Sequence, residues 1–456
     1  MARRLIRNGI VVSFAGGDAA PARRDVLIEG DCIAAIDNDI PADGAEVIDA
    51  SGMIVAPGLV DAHLHTWQTA IRGIAGDWSL MEYGQRLHAG LATAYSPDDI
   101  FIATLVGALN QINCGVTTLF DWSHNNPTPE HSDRAIDALL ESGIRAVFGH
   151  GTPKPKLDAG GVPTSELLHP EDEVHRLRTE RLTSEDALVT MAMCIRGPDL
   201  ASYEACEHDI RLARKYGLIS SAHLGGRMPQ NRKTPDGLLR LAAAGLLGPD
   251  FNSVHSNKLR DEELDAMTAV GVSFTMTPEV EMQMGHGMPV TGRLLQRGVQ
   301  PSIGIDIESG IGSEMLWAAR FALQLQRGMD NIRVNAGGEE VARVSIPSRQ
   351  ALAWATIEGA KALRMAQRIG SLAPGKQADI ILVRADSLNV FPAPLAEETL
   401  LYQSHSGNVD SVFIAGEPRK RGGRLVYPRL DERLGQLAES GERLLRQAGI
   451  TTDAAN

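Results

Sequence analysis

Two histidines stand one residue apart in VDAHLHTWQ, at His63 and His65, directly after an apolar run. Alternate residues of an extended strand point to the same side, so both imidazoles can reach one point in space. Three more metal-competent side chains close short apolar runs farther along: His223 in LISSAHL, His255 in FNSVHS and Asp306 in PSIGIDIE. Imidazole nitrogen with carboxylate oxygen suits zinc, or ferrous iron, with one position left open for water. Singly, each residue has an ordinary reading: a strand-end histidine is usually a hydrogen-bonded structural residue, and Asp306 fits a helix N-cap. Together, at the same end of four strands, they read as one metal site.

Such a site needs strands that end at a common mouth. Eight β-branched or apolar runs occupy residues 58–365: IVAPGLVDAHLH (beginning just before residue 58), VTTLFDWSHN, IRAVFGHG, ALVTMAMCIRGP, LISSAHL, FNSVHS, VSFTMTPE and PSIGIDIE. Segments such as SPDDIFIATLVGALNQINCG and DRAIDALLESG separate them, with helical spacing of apolar residues and a glycine stop. Eight strands alternating with helices predict an α/β fold, a (β/α)8 TIM barrel. An open doubly wound sheet competes with it, but metal-capable residues at strand ends along the whole stretch favour a closed ring. Short β-rich runs also fill both termini, in RLIRNGIVVSF, RRDVLIEGDCIAAID and GAEVIDASGMIVAPG, and again in KQADIILVRAD and NVDSVFIAGEPRKRGGRLVYP. They predict a small composite β-sandwich domain built from residues 1–57 and 366–456.

The 456 residues carry a formal net charge of -13, which argues against a nucleic-acid or anionic-membrane partner and for a small-molecule substrate. Cys32, Cys114, Cys194 and Cys206 show no CxxC spacing, so neither a disulfide framework nor a thiolate cage is expected. With no signal-peptide pattern and no 18-residue apolar span, a reduced, cytoplasmic setting is the expectation. No GxSxG nucleophile elbow and no phosphate-cradling glycine loop appear.

PGLVDAHLH, the later His223 and His255, and GIDIESG around Asp306 resemble the metal-dependent amidohydrolase superfamily. The likeness is to the branch of triazine chlorohydrolases and guanine-, cytosine- and adenosine-type deaminases. GVTTLFD at 115, TPEVEMQMGHGMPVTGRLLQRGVQPSIGID from 277, GSLAPGKQADIILV from 370 and NVDSVFIAGEPRKRGGRLV from 408 fall in that branch's order, covering nearly the whole chain. The resemblance implies one divalent ion, Zn2+ before Fe2+, held by His63, His65, His223 and Asp306, with His255 beside the hydroxide or substrate. Binuclear relatives use a carboxylated lysine at the end of strand four; MAMCIRGPD has none. Homo-oligomers are common among look-alikes and are expected here. One departure matters. The deaminases carry HxxE, whose glutamate shuttles a proton to a ring nitrogen, whereas this chain reads HLGG with Gly226 in that place.

A metal-bound hydroxide, Asp306 as its general base and His255 as oxyanion stabiliser are sufficient to cleave a C–N bond of a small, cyclic amide, lactam, urea or heterocyclic amine. Simple ring deamination lacks its usual acid, a loss worth roughly 100- to 10,000-fold. Glu279, Glu281 and Glu308 are candidates for a displaced one. An aminohydrolase or chlorohydrolase with such an acid, or a metal-dependent decarboxylase, is the alternative. Around the mouth, Trp67, Gln68, His124, Arg196 and His286 are the candidate substrate contacts, through stacking, amide hydrogen bonds or, for Arg196, binding of a carboxylate or carbonyl.

Overall fold

The computed structural model describes residues 2–16, 20–153 and 163–450. In chain order its strands are β1 (Arg3–Val11), β2 (Ala22–Glu29), β3 (Cys32–Asp37), β4 (Glu46–Asp49), β5 (Met53–Pro57), β6 (Leu59–Leu64), β7 (Val116–Ser123), β8 (Arg145–Gly151) and β9 (Val189–Ile195). Then follow β10 (Ser220–Leu224), β11 (Phe251–His255), β12 (Ser273–Met276), β13 (Ser302–Ile303), β14 (Ile380–Arg384), β15 (Val409–Ile414), β16 (Glu417–Arg421) and β17 (Arg424–Leu425). β6 to β13 form an eight-stranded sheet in sequential order, each strand parallel to the next. All eight runs expected from the sequence are strands of it. The ring closes where β6 meets the chain just past β13: Leu64 bridges Asp306 in parallel, the His65 amide donates to the Asp306 carbonyl, and the Asp306 amide donates to the His63 carbonyl, both at 2.8 Å.

The other nine strands make one sheet from both chain ends, in the order β17-β16-β15-β14-β5-β1-β2-β3, with β4 beside β1. Val26 and Ile28 of β2 share a buried cluster with Ile380 and Leu382 of β14 and Phe413 of β15, so the sheet rolls over a core of its own. Only Gly58 separates β5, in this sheet, from β6, in the barrel. A Cβ at Gly58 would lie 2.0 Å from Thr117 Oγ1, so the chain can cross at that point only as glycine. Arg145, at the start of β8, donates through Nε to Asp379 Oδ2 at 2.7 Å, and this buried ion pair ties the two sheets together.

Helices wrap the barrel as their capping signals dictate. Ser96 and Asp99 form a reciprocal capping box with Pro97 in the first turn, starting the helix Pro97–Asn113. Gly143, at φ 71°, ends the helix Pro129–Ser142 in the left-handed conformation. The last helix among the described residues, Leu430–Gln447, leaves the terminal sheet and lies against the barrel: Ser440 donates to Asp99 at 2.6 Å. Its strong amphipathic pattern supplies the reason, because one apolar stripe needs another to cover it. A Cβ at Gly441 would meet the Ala70 carbonyl at 2.4 Å, so this helix also braces the loop that follows His65. Among the described residues no helix is long and apolar enough to cross a membrane.

Candidate metal centre and active site

The five residues expected to converge do so. His63 Nε2 lies 3.2 Å from Asp306 Oδ1, His65 Nε2 lies 3.3 Å from the same oxygen, and His223 Nε2 lies 3.2 Å from His63 Nε2. His63, His223, His255 and Asp306 each present one ligand atom, all within 4.8 Å of one another. Two imidazole nitrogens facing each other beside a carboxylate, all turned to a common point, make a set that a shared cation would satisfy. Ligand atoms about 2.0–2.1 Å from one shared zinc stand roughly 3–3.5 Å apart, close to the shorter spacings found here. The donor set and its geometry therefore fit one divalent ion.

Electrostatics keep the set in ligand form. Burial pushes the His63 imidazole down to about 3 and the His223 imidazole well below its ordinary value, so both rings are neutral. Burial pushes the Asp306 carboxyl up, but the His63, His65 and His255 imidazoles crowded around it outweigh burial and hold the group well below the usual carboxylate range. The His65 Nδ1–H donates to the Trp122 carbonyl at 2.6 Å, which fixes the tautomer and leaves Nε2 with its lone pair toward the centre.

The backbone that aims these groups is specified with care. Asp61, buried one alternation before His63, accepts from the amides of His63 and Ile305 at 3.1 Å each and so clamps the barrel seam that carries His63 and Asp306. Asp61 shares the alternate positions of His63 and His65, which places it on their side of the strand but does not by itself reveal the seam it clamps. His255, Ser256 and Asp306 adopt left-handed φ of 69°, 66° and 74°. Non-glycine residues hold that conformation only where surrounding contacts over-determine it, which is characteristic of functional sites.

His255 faces the centre from the far wall, its Nε2 3.9 Å from Asp306 Oδ2. Its Nδ1 sits 3.0 Å from Thr277 Oγ1 and 3.5 Å from Glu281 Oε1. Burial lowers the His255 pKa, but Glu281 and Asp306 more than compensate and raise it. Glu281 is thus a support for His255 rather than a free acid; it also accepts from the Thr277 amide at 2.8 Å and from Asn257 at 3.0 Å. Glu308 is likewise engaged, by Thr69, Arg72 and Asn110. Glu279, pushed up to about 7 by burial, lies beside Trp317.

The expected substrate contacts separate into three groups. His124 and His286 reach the cluster: the His124 ring stands 4.1 Å from His65 and the His286 ring 4.5 Å from His255, centroid to centroid. Trp67 and Gln68 lie one layer back. Trp67 is buried with its indole N–H on His124 Nδ1 at 3.2 Å, while Gln68 donates to the Tyr83 hydroxyl and accepts from Ser309, each at 2.6 Å. A short 3-10 helix, Thr66–Ile71, turns both side chains inward immediately after the strand, so they brace the site instead of facing the mouth. Arg196 turns away: its guanidinium donates to the Thr164 carbonyl in the field of Asp209. The sequence reading missed His88, which ends the short helical turn Gly84–His88 between β6 and the helix Pro97–Asn113, a stretch too short for periodicity to mark a side chain's direction. Its ring packs 4.7 Å from His124 and 4.9 Å from Tyr83.

At the HLGG departure, Gly225 and Gly226 differ. Gly225 has φ 67°, and a Cβ there would lie 2.8 Å from the Ser256 carbonyl carbon. Gly226 has no left-handed φ, and a Cβ would meet only Leu80 Cδ2, at 3.9 Å. The Lys258 ammonium donates to the Gly226 carbonyl at 3.0 Å and is 3.4 Å from that of Gly285, linking this loop to the one bearing His286.

Residues 54–419 match the amidohydrolase family. The chain is 29% identical to a 5′-deoxyadenosine deaminase of Methanothermobacter thermautotrophicus, over 90% of this chain and 92% of the relative. It shares its fold with a zinc-bound adenosine deaminase of Xanthomonas campestris, at a TM-score of 0.83 and 22% identity, over 98% of this chain and 99% of that one. A zinc complex of atrazine chlorohydrolase from Arthrobacter aurescens matches at a TM-score of 0.84 and 22% identity, over 96% of this chain and 100% of that one.

Proposed function

The chain belongs to the amidohydrolase family, and from that premise we propose that this metal-dependent hydrolase holds one zinc ion through His63, His65, His223 and Asp306 and opens a C–N bond of a small planar heterocycle. The observation that carries the reading is the approach of His63 and His65 Nε2 to one Asp306 oxygen at 3.2 and 3.3 Å, with His223 Nε2 3.2 Å from His63 Nε2. Residues 58–365 carry every member of this set, and the sheet of β1–β5 and β14–β17 is tied to them through Arg145 and Asp379.

A bound divalent ion supplies Lewis acidity and brings the pKa of water toward neutrality. The rest is the work of side chains. Asp306, held as a carboxylate, accepts the proton of the attacking water and returns it to the leaving nitrogen. His255, its Nδ1 fixed by Thr277 and Glu281, presents Nε2 to the oxygen on which charge develops. His65 is oriented by Trp122, and His124 packs beside it on the open side of the mouth. With Gly226 where an acid stands in ring deaminases, an amide-type or lactam-type C–N bond is the favoured target. Deamination of a purine nucleoside is the second reading, supported by the likeness to the 5′-deoxyadenosine deaminase.

The test is metal-dependent turnover of a panel holding cyclic amides, cyclic ureas, adenosine and 5′-deoxyadenosine. Chelation is expected to abolish product formation and one equivalent of zinc to restore it. Full activity after complete metal removal overturns the reading.

A further inference from the structure

His286 is 3% exposed, yet neither Nδ1 nor Nε2 has a hydrogen-bond partner among the described residues. Buried polar atoms are almost always paired, because an unmade bond costs on the order of 1–3 kcal/mol per group. Two such atoms on one ring are therefore held for a partner from outside the chain. The position is built rather than accidental. The His286 amide donates to the Glu281 carbonyl at 3.0 Å, and Gly285 and Gly287 flank it at φ 80° and 115°, so the backbone is fixed on both sides. Its ring stands edge-to-face on His255, 4.5 Å between centroids and 74° between planes, and His255 in turn faces Asp306. Lys258, which bonds the Gly226 carbonyl and lies near that of Gly285, holds the 285–287 turn against the glutamate-less loop.

The geometry points to His286 as a catalytic residue of this site, one that hydrogen-bonds the substrate on the side away from the metal, where HLGG offers no side chain. The inference rests on the function proposed above and narrows its substrate class. A neutral imidazole supplies one donor and one acceptor, matching the edge of an amide, lactam or amidine. The nearby Lys258 ammonium, together with the engagement of Glu281 and Glu308 by their own partners, disfavours a cationic substrate. The ligand class is thus an uncharged or anionic heterocycle with adjacent donor and acceptor atoms.

Acetohydroxamate is a suitable probe, since it binds a metal with an open position through its oxygens and keeps an N–H to donate to a neutral imidazole nitrogen. Its affinity is measured by calorimetry on the zinc-loaded protein, with zinc affinity and thermal midpoint recorded for each variant. His286→Phe is expected to weaken hydroxamate binding by roughly 10- to 100-fold while zinc affinity stays within about threefold, a change too small to involve a lost ligand. His286→Gln, which keeps a donor and an acceptor, is expected to retain binding within about threefold, a difference below the net value of one hydrogen bond. Because Phe removes unpaired nitrogens, its melting temperature should equal or exceed that of the unmodified protein, the reverse of a structural role. His286→Leu provides the same comparison if Phe overpacks the site. Unchanged hydroxamate affinity in Phe and Leu variants overturns the inference, as does equal weakening in the Gln variant. Failure of the unmodified protein to take up zinc, or to bind hydroxamate once loaded, overturns instead the reading on which it rests.

Discussion

Gly226→Glu places a carboxyl group three residues after His223 and asks whether the absent acid sets the chemistry. The backbone permits the change. A Cβ at 226 makes one ordinary contact, 3.9 Å from Leu80 Cδ2, whereas at 225 it would collide with backbone at 2.8 Å in a left-handed conformation. Gly226→Ala is accordingly expected to be neutral or stabilising by up to about 1 kcal/mol through the unfolded chain. Gly225→Ala should cost at least about 1–2 kcal/mol from φ alone. If proton delivery to a ring nitrogen is what the unmodified protein lacks, Glu at 226 should raise adenosine deamination by about 100- to 10,000-fold. That gain corresponds to about 3–5 kcal/mol of barrier. The assay is ammonia release by zinc-loaded protein, with Gly226→Gln as the uncharged control of the same shape. A Glu variant no faster than the Gln variant, at equal zinc content and equal melting temperature, refutes the reasoning. So does an unmodified protein that already deaminates adenosine at the rate of the Glu variant.

Glu281→Gln should move the pH limb set by His255 toward acid, since Glu281 helps raise that imidazole, and a pH profile of kcat/KM checks it. Burial holds the folded-state pKa of His150 down at about 3, below its unfolded value near 6.5, so the unfolded chain takes up the proton first and stability is lost as pH falls through that window. Urea unfolding between pH 6.5 and 4.5 should therefore show His150→Gln flattening the decline by up to about 1.4 kcal/mol per pH unit. Arg145→Leu leaves Asp379 buried and without its guanidinium, and should lower unfolding free energy by about 3–5 kcal/mol; a loss under 1 kcal/mol in the same assay removes the pair as the tie between the sheets.

Much of the molecule was legible in one dimension because strand alternation and helix caps are local. His63 and His65 share a side because β-strand period is two, and the eight runs stand apart because Ser96, Gly143 and their equivalents start and stop helices where the backbone requires it. Ends of strands in a barrel share a mouth, so His223, His255 and Asp306 could be placed beside the first pair from pattern alone. Side-chain direction beyond the strand ends is not local in this way. Trp67 and Gln68 turn back into the wall because of a 3-10 turn, and Arg196 follows a carbonyl and a carboxylate on elements distant in sequence.

By itself, then, the sequence determined the alternating barrel, the two β-rich ends and the five metal-competent residues, all consequences of short-range stereochemistry and periodicity. Tertiary structure alone decided that Asp61 clamps the seam and that Glu281 stands behind His255. It alone set Gly225 as obligatory where Gly226 is permissive, and left His286 buried with both nitrogens unpaired. Those outcomes depend on which atoms from remote segments fill the same few ångströms, and close packing settles that only when the whole chain is folded.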